Sequence, residues 1–408
     1  MNPNPKALMS VEAALDHLLS AVRPLAAPET VPTGAAYRRV LAEGLVSPMN
    51  VPPADNTQMD GFAVASAECA QAGARLMVSQ RIAAGHVGGA LKPHTAARIF
   101  TGGLIPEGAD AVVMQEQADL EETPEGPMVT IRHVPQAGEW IRRAGEDIRA
   151  GASILEAGTV LRAQELGLAA SVGVATLAVA RRPRVAIFFT GDELAMPGDV
   201  LRPGAIYNSS RFTLNGLLEG MGCVVTDLGI IPDTLEATRA ALRTAAAGHD
   251  CIITSGGVSV GEEDHVKPAV EAEGELDLWQ IAIKPGKPLA FGRVGEAVFL
   301  GLPGNPVSSF VAFLIFVRPV LLRLQGARQL AVRRYALRAD FAWPRPDRRQ
   351  EYLRVRVNEQ GGLELFANQG SAVLTSTVWG DGLVENPPGR AIAPGDTVQF
   401  IPFAELGS

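Results

Sequence analysis

Between residues 185 and 324, short and almost uniformly apolar runs at 185–190, 224–228, 251–254 and 298–301 alternate with amphipathic stretches at 210–221, 235–247, 262–273 and 307–324. Runs without a two-residue alternation are buried on both faces, so this rhythm predicts a parallel sheet with helices on each side. A less regular strand is expected at 279–283. Pro319 is expected to kink the last helix, because proline returns no hydrogen bond to the preceding turn. Residues 31–180 have another texture: β-like runs at 61–64, 97–101, 111–115 and 128–134, punctuated by Pro106-Glu107-Gly108, Pro124-Glu125-Gly126 and Ala137-Gly138. One helix is expected at 163–172. Another is expected at 10–22, with Val11, Ala14, Leu15, Leu18 and Leu19 on one face and Ser10 as N-cap. Arg181-Arg182-Pro183-Arg184 reads as a linker. From residue 331, β-like runs at 335–341, 351–357, 363–366 and 397–402 predict a small β domain, a barrel. The fold class expected is α/β plus β, in several domains.

A length of 408 residues agrees with more than one domain. The net charge of −8 argues against nucleic acid as partner, since phosphate neutralisation needs clustered Lys and Arg, and Arg142-Arg143, Arg181-Arg182 and Arg348-Arg349 are short and scattered. Cys69, Cys223 and Cys251 lie far apart with no C-x-x-C, so neither a zinc ribbon nor a disulfide framework is indicated. The first residues lack an apolar signal core, and no uninterrupted apolar run of ~18 residues is seen. No membrane span and a cytoplasmic location are the expectations.

Ligands of parallel α/β sheets bind beyond the carboxyl ends of the strands. Five loops are expected on that rim: Thr190-Gly191-Asp192-Glu193, Pro232-Asp233-Thr234, Ser255-Gly256-Gly257-Val258-Ser259-Val260-Gly261, Lys284-Pro285-Gly286-Lys287-Pro288 and Pro303-Gly304-Asn305-Pro306. Gly257–Gly261 spells G-x-S-x-G, which is either a nucleophile elbow or a loop that wraps an anion. A hydrolase elbow needs a histidine well after the serine, and of six histidines only His265 follows Ser259. The anion reading fits better. Paired glycines let backbone N–H groups approach a ligand, a helix N-terminus follows, Ser255 and Ser259 carry hydroxyls, Asn305 an amide, and Lys284 and Lys287 full charges. Glu193, Asp233 and Asp264 would then face phosphate. Like charges roughly 4 Å apart repel by about 4 kcal/mol at an effective dielectric of 20, so such a cluster predicts a bridging cation, Mg2+. The plainer alternative is that Asp233 and Asp264 cap helices.

Three stretches outside the rim also combine polar groups with turns: Asp55–Gly61 with Asp60 as candidate acid, Ile99–Gly103 with Thr101, and Arg142–Asp147 with both signs of charge. Walker A, G-x-G-x-x-G and H-E-x-x-H patterns do not occur.

DNTQMDGFAV, IFTGGLIPEGADAVVMQE, RRAGEDI, TGDEL, SGGVSVGEEDHV, IAIKPGKPLAFG and GLPGNPVSS follow one another in this order. Together they resemble the molybdopterin molybdotransferases of molybdenum cofactor biosynthesis, a family that includes the E domain of gephyrin, over residues 8–405. The resemblance implies Mg-dependent insertion of molybdate into adenylyl-molybdopterin, with release of AMP. By motif it places Ser255, Gly256, Gly257, Ser259, Gly261, Pro303, Gly304 and Asn305 at the pterin phosphate and nucleotide. Glu193, Asp233 and Asp264 fall at the metal, and Lys284, Lys287, Ser308, Arg349 and Ser376 toward molybdate. Asp60, Thr101, Arg142 and Asp147 match functional positions of a β-rich domain that reaches the other subunit's site, so a homodimer is implied. It also implies an N-terminal helix (1–22), a discontinuous linking domain (23–45 and 148–180), a β-rich inserted domain (46–147), an α/β domain (181–330) and a C-terminal barrel (331–408). Contacts with molybdopterin adenylyltransferase and apo-molybdoenzymes are implied as well. Two departures stand out: Gln280 replaces a frequent lysine, and 375–379 differs from the usual segment. The rival readings are a pterin adenylyltransferase, whose Gly-Gly-Thr-Gly type of loop is absent here, and a non-catalytic scaffold.

Overall fold

The apolar runs build a six-stranded sheet in the order Val224–Ile231, Arg184–Thr190, Cys251–Ser255, Ala297–Leu302, Pro288–Val294, Gly274–Gln280. A computed structural model describes residues 8–258 and 265–407. The first four strands are parallel, as expected, but the last two are antiparallel, so the sheet is mixed. The reason is local. Residues 288–294 form a strand not among those expected from the sequence, and only Gly295 and Glu296 separate it from Ala297–Leu302. A two-residue connection can only reverse the chain, and Gly295 takes a φ of +59° to do so. The irregular strand expected at 279–283 is displaced: Gly274–Gln280 joins this sheet, whereas Ile283–Lys284 leaves it and pairs in parallel with Gln350 and Glu351.

Neighbouring residues of one strand serve opposite cores. Phe189 faces Leu18, Leu214, Leu300 and Phe313 in one cluster, and Phe188 faces Leu242, Ile252, Val270 and Phe299 in the other. Helices Val11–Ala21 and Ser209–Gly220 and the 306–324 helix cover the first face; Leu235–Ala246 and Val266–Glu273 cover the second. Ser10 caps the first helix by accepting from Ala13 N at 3.1 Å. The 306–324 helix is not simply kinked at Pro319. A π turn, Phe313–Val317, separates Pro306–Ala312 from Arg318–Leu324 and widens the ladder just before the proline. Pro306–Leu324 is long and apolar enough to cross a bilayer by length and composition, but it is a core helix, mostly buried inside the protein.

Before this sheet, Pro28–Pro32 pairs with Thr176–Ala180, and Leu45–Val46 with Ser153–Leu155. The chain between them carries a second six-stranded sheet, including the strand Ala74–Ile82 that the sequence reading missed. After it, Gln350–Val357, Gly382–Asn386, Thr397–Pro402 and Tyr335–Arg338 form a third, with Leu363–Leu365 on the free edge of Gln350–Val357. A bridge between Ala339 and Leu363 joins its two ends.

The double-sided core sets the expected stability response. Phe188→Ala should cost about 3–5 kcal/mol, whereas Val200→Ala, at a residue 93% exposed, should cost less than about 0.5 kcal/mol. Urea denaturation followed by circular dichroism measures both; equal costs would contradict the burial assigned to Phe188.

Candidate functional site

The carboxyl ends of the parallel strands are fastened to one another by backbone. Gly256 and Gly257 have φ of +100° and +65°, where L side chains are strained. A Cβ at Gly256 would lie 2.8 Å from the Thr190 carbonyl oxygen, and one at Gly257 would lie 2.7 Å from Val266 and 2.8 Å from the Thr190 hydroxyl. Gly256 N donates to Leu302 O at 3.2 Å, and Ser255 Oγ donates to Pro303 O at 3.0 Å. Ser255 is therefore a buried brace whose hydroxyl proton is already used, not the ligand donor expected. Thr190 Oγ1 is buried beside Gly257 and has no partner among the described residues. Ser259, Gly261 and Asp264 lie outside the described residues.

The lysine loop reaches the same rim through a reversed strand. Ala290 pairs with Gly301, so the start of Pro288–Val294 sits beside the end of Ala297–Leu302. Gly286, at φ +93°, passes so close that a Cβ there would be 3.5 Å from both Pro303 and Ser308. Ser308 is buried in the first turn of helix Pro306–Ala312. Asn305 stands at the N-cap of that helix without making a side-chain cap bond, and Pro306 fills the first position, where a missing N–H costs nothing.

Lys284 Nζ donates to Glu351 Oε1 at 3.0 Å and lies 3.5 Å from Asp347. Glu351 is fully buried and also accepts from Trp343 Nε1 at 2.8 Å, Asp347 N at 3.2 Å and Asn386 Nδ2 at 3.3 Å. Arg349 grips Asp347 with Nε at 3.0 Å and Nη2 at 2.8 Å. These Arg349 bonds, first among the causes, hold the Asp347 carboxyl well below the usual carboxylate range. Lys287 is exposed and makes no ion pair among the described residues. Ser376 is buried: its hydroxyl donates to Val373 O at 2.7 Å and accepts from Arg354 Nε at 3.1 Å.

Arg354 is a residue the sequence reading missed. It is 1% exposed and gives its other bonds to the carbonyls of Tyr352 and Gly370. Burial without a carboxylate partner among the described residues pulls its pKa down to about 10. One arginine inside an apolar strand gave no signal of that environment. The same segment abuts the rim, since Val307 N donates to Ser371 O at 3.0 Å.

Glu193 and Asp233 follow neighbouring parallel strands, paired as far as Thr190 and Ile231. Helix Leu235–Ala246 is capped by Thr234, which accepts from Ala237 N at 3.2 Å, so capping does not account for Asp233. No three His, Cys, Asp or Glu converge among the described residues. Among the described residues, the carboxylates offered on adjacent strand ends are Glu193 and Asp233. Such a set fits a magnesium ion that fills the rest of its shell with water and substrate phosphate rather than with protein.

Asp60, Thr101, Arg142 and Asp147 stand on the 46–147 segment, whose sheet is separate from that of the rim. Thr57 gathers the first three. Its N–H donates to Gly103 O, its carbonyl accepts from Gly102 N, and its strand pairs Asn56 with Arg142. Asp60 Oδ1 accepts from Thr101 N at 2.8 Å and Thr101 Oγ1 at 2.7 Å. Arg142 and Asp147 are exposed; it is Arg143 that pairs with Asp55, at 2.6 Å. A groove of about 1260 Å³ borders Gly220 and Met221, at the end of the sheet opposite the rim, and takes no part in this arrangement.

Comparison with known proteins covers nearly the whole chain. Residues 9–173 match the MoeA N-terminal region (domain I and II), 186–323 the probable molybdopterin binding domain, and 336–403 the MoeA C-terminal region (domain IV). The chain is similar to the molybdopterin molybdenumtransferase of Haemophilus influenzae, with 39% identity over 377 residues, covering 91% of this chain and 93% of that protein. It is similar to the Bacillus subtilis molybdopterin molybdenumtransferase, with 34% identity over 91% of this chain and 88% of that one. Its fold is similar to the crystal structure of the molybdopterin biosynthesis MoeA protein from Pyrococcus horikoshii OT3, with a TM-score of 0.83, 27% identity, and coverage of 97% and 100%.

The two bonds from Thr101, backbone first and hydroxyl second, hold the Asp60 carboxyl below its ordinary range. Thr101→Val removes the second and keeps the first. The Asp60 pKa should rise yet remain below that of a free aspartate, as read by carboxyl-carbon NMR titration; an unmoved titration would contradict the contact.

Proposed function

The chain belongs to the MoeA family, the molybdenum transferases of molybdenum cofactor biosynthesis, and from that premise we propose how its rim performs the transfer. The backbone of Gly256, Gly257 and Gly261, the Ser259 hydroxyl, and the Pro303-Gly304-Asn305 loop hold the phosphates of adenylyl-molybdopterin. What carries this reading is the contact of Gly256 with Thr190 and Leu302, which leaves room for backbone and none for a side chain. Ser255 supports the cradle from below. Lys284, Lys287, Arg349 and Ser308 receive molybdate beside it, with Ser376 and Arg354 behind them. Glu193, Asp233 and Asp264 would hold magnesium, which when bound neutralises charge between carboxylates and phosphate.

Water cleaves the phosphate anhydride and AMP leaves; the two dithiolene sulfurs then bind molybdenum as one molybdate oxygen departs as water with their two protons. Asp60, Thr101, Arg142 and Asp147 complete the site from the second subunit of a homodimer. Their placement on a separate sheet supports an arm that reaches outward. In this reading the chain divides into an N-terminal helix, a linking domain from 23–45 and 148–180, the arm at 46–147, an α/β domain at 181–330 and a barrel at 331–408. The Ala339–Leu363 bridge supports closure of that barrel. A pterin adenylyltransferase supplies the substrate and apo-molybdoenzymes accept the product.

Asp60→Asn and Lys284→Met should each abolish AMP release while keeping the fold. Mixed heterodimers of the two should regain activity, because one of their two sites is intact. Failure to regain it, with heterodimers demonstrated by mass spectrometry, would contradict a site shared between subunits. Ser259→Ala should weaken substrate binding several-fold and leave turnover measurable; complete loss with a trapped acyl adduct would instead make Ser259 a nucleophile.

A further inference from the structure

Lys284 and Arg349, two cations of the rim, are already paired. Asp347 already bridges them: one carboxylate oxygen accepts from Arg349 N and Nε, both at 3.0 Å, and the other accepts from Arg349 Nη2 at 2.8 Å and lies 3.5 Å from Lys284 Nζ. A carboxylate here occupies the place where an oxyanion would bind both cations. Glu351, the other carboxylate, is different in kind. It is buried to 1% side-chain exposure, sits on the strand Gln350–Val357, and has a donor on every side. Asp347 is 24% exposed and precedes that strand on irregular backbone, so it can turn away without breaking a ladder.

Lys284 does not depend on Asp347 for its position, and Arg349 keeps one bond besides its three to Asp347. Lys284 is tied to Glu351 and lies over the Trp343 ring at 5.7 Å. Arg349 also donates to Ile283 O at 3.4 Å. Charge counting points the same way. Lys284, Lys287 and Arg349 against Asp347 and Glu351 leave one net positive charge, and with Asp347 turned out they leave two. Two is the charge that matches a tetrahedral dianion.

We propose that Asp347 is a built-in carboxylate competitor that occupies the oxyanion position between Lys284 and Arg349 and must be displaced when the substrate oxyanion binds. It thereby sets the affinity of the site. This rests on reading Lys284 and Arg349 as the oxyanion-binding cations. The strong lowering of the Asp347 pKa by Arg349 means that the competitor is ionised throughout the neutral range.

Calorimetric titration of sodium molybdate into the full-length protein tests this. Asp347→Asn keeps an oxygen for the Arg349 N–H and removes only the charge; Asp347→Ser is a second route to the same end. Both should bind molybdate about three- to tenfold more tightly than the unaltered protein, the scale of one partly exposed ion pair. A residue that merely positions Arg349 would give weaker binding when replaced. Unchanged or weaker binding in both variants, while Arg349→Ala also weakens it, would overturn the competitor and leave the oxyanion site standing. Undiminished binding in Arg349→Ala would overturn the site, and the competitor with it.

Discussion

Gly256 meets Thr190 at a separation that admits no side chain, and the rest of the rim depends on that contact. It brings the ends of two adjacent parallel strands together, and the Gly256 bond to Leu302 and the Ser255 bond to Pro303 add a third. Once those ends are locked, the backbone at Thr190, Gly256 and Gly257 is fixed, and the proposed phosphate cradle needs no further ordering. Preorganised dipoles of this kind need no rearrangement when charge arrives, which is where their strength comes from. The positive φ values of Gly256 and Gly257 are therefore requirements of the approach.

Charge reaches this backbone frame from outside it. Ile283–Lys284 leaves the α/β sheet and pairs with Gln350–Glu351 of the C-terminal sheet. That single ladder carries Lys284 to Glu351 and sets Arg349 beside it. Lys284 and Arg349, the cations proposed to receive the oxyanion, thus meet at a seam between two sheets and are neutralised in part by carboxylates from the same seam. Leaving one charge exposed, on Lys287, and the others paired keeps the cost of gathering cations low in the absence of substrate.

Much of this was legible in the sequence. Glycine pairs after apolar runs, the Lys-Pro-Gly-Lys loop and the Pro-Gly-Asn turn all lie on one rim, because strand-end placement follows from the alternation of strands and helices. What was not legible depends on tertiary surroundings. Pro288–Val294 was hidden by its one proline and its glycine, Gly292, and with it the mixed character of the sheet. Ser255 and Ser376 read as ligand hydroxyls, yet each bonds to a protein carbonyl. Glu351 and Arg354 stand three apart and so on opposite faces of Gln350–Val357, and both are buried, which the charges alone do not suggest. Capping by Thr234 in place of Asp233 is a choice between adjacent residues that local pattern does not decide.

In the proposed reaction this rim cleaves an adenylylated pterin and transfers molybdenum to it. The most direct measurement follows AMP by chromatography after mixing the purified protein with adenylyl-molybdopterin, magnesium and molybdate, omitting each in turn. Release that requires magnesium and rises with molybdate is the result expected. Tight binding of the pterin with no AMP under any combination would contradict the claim and leave a carrier in place of an enzyme.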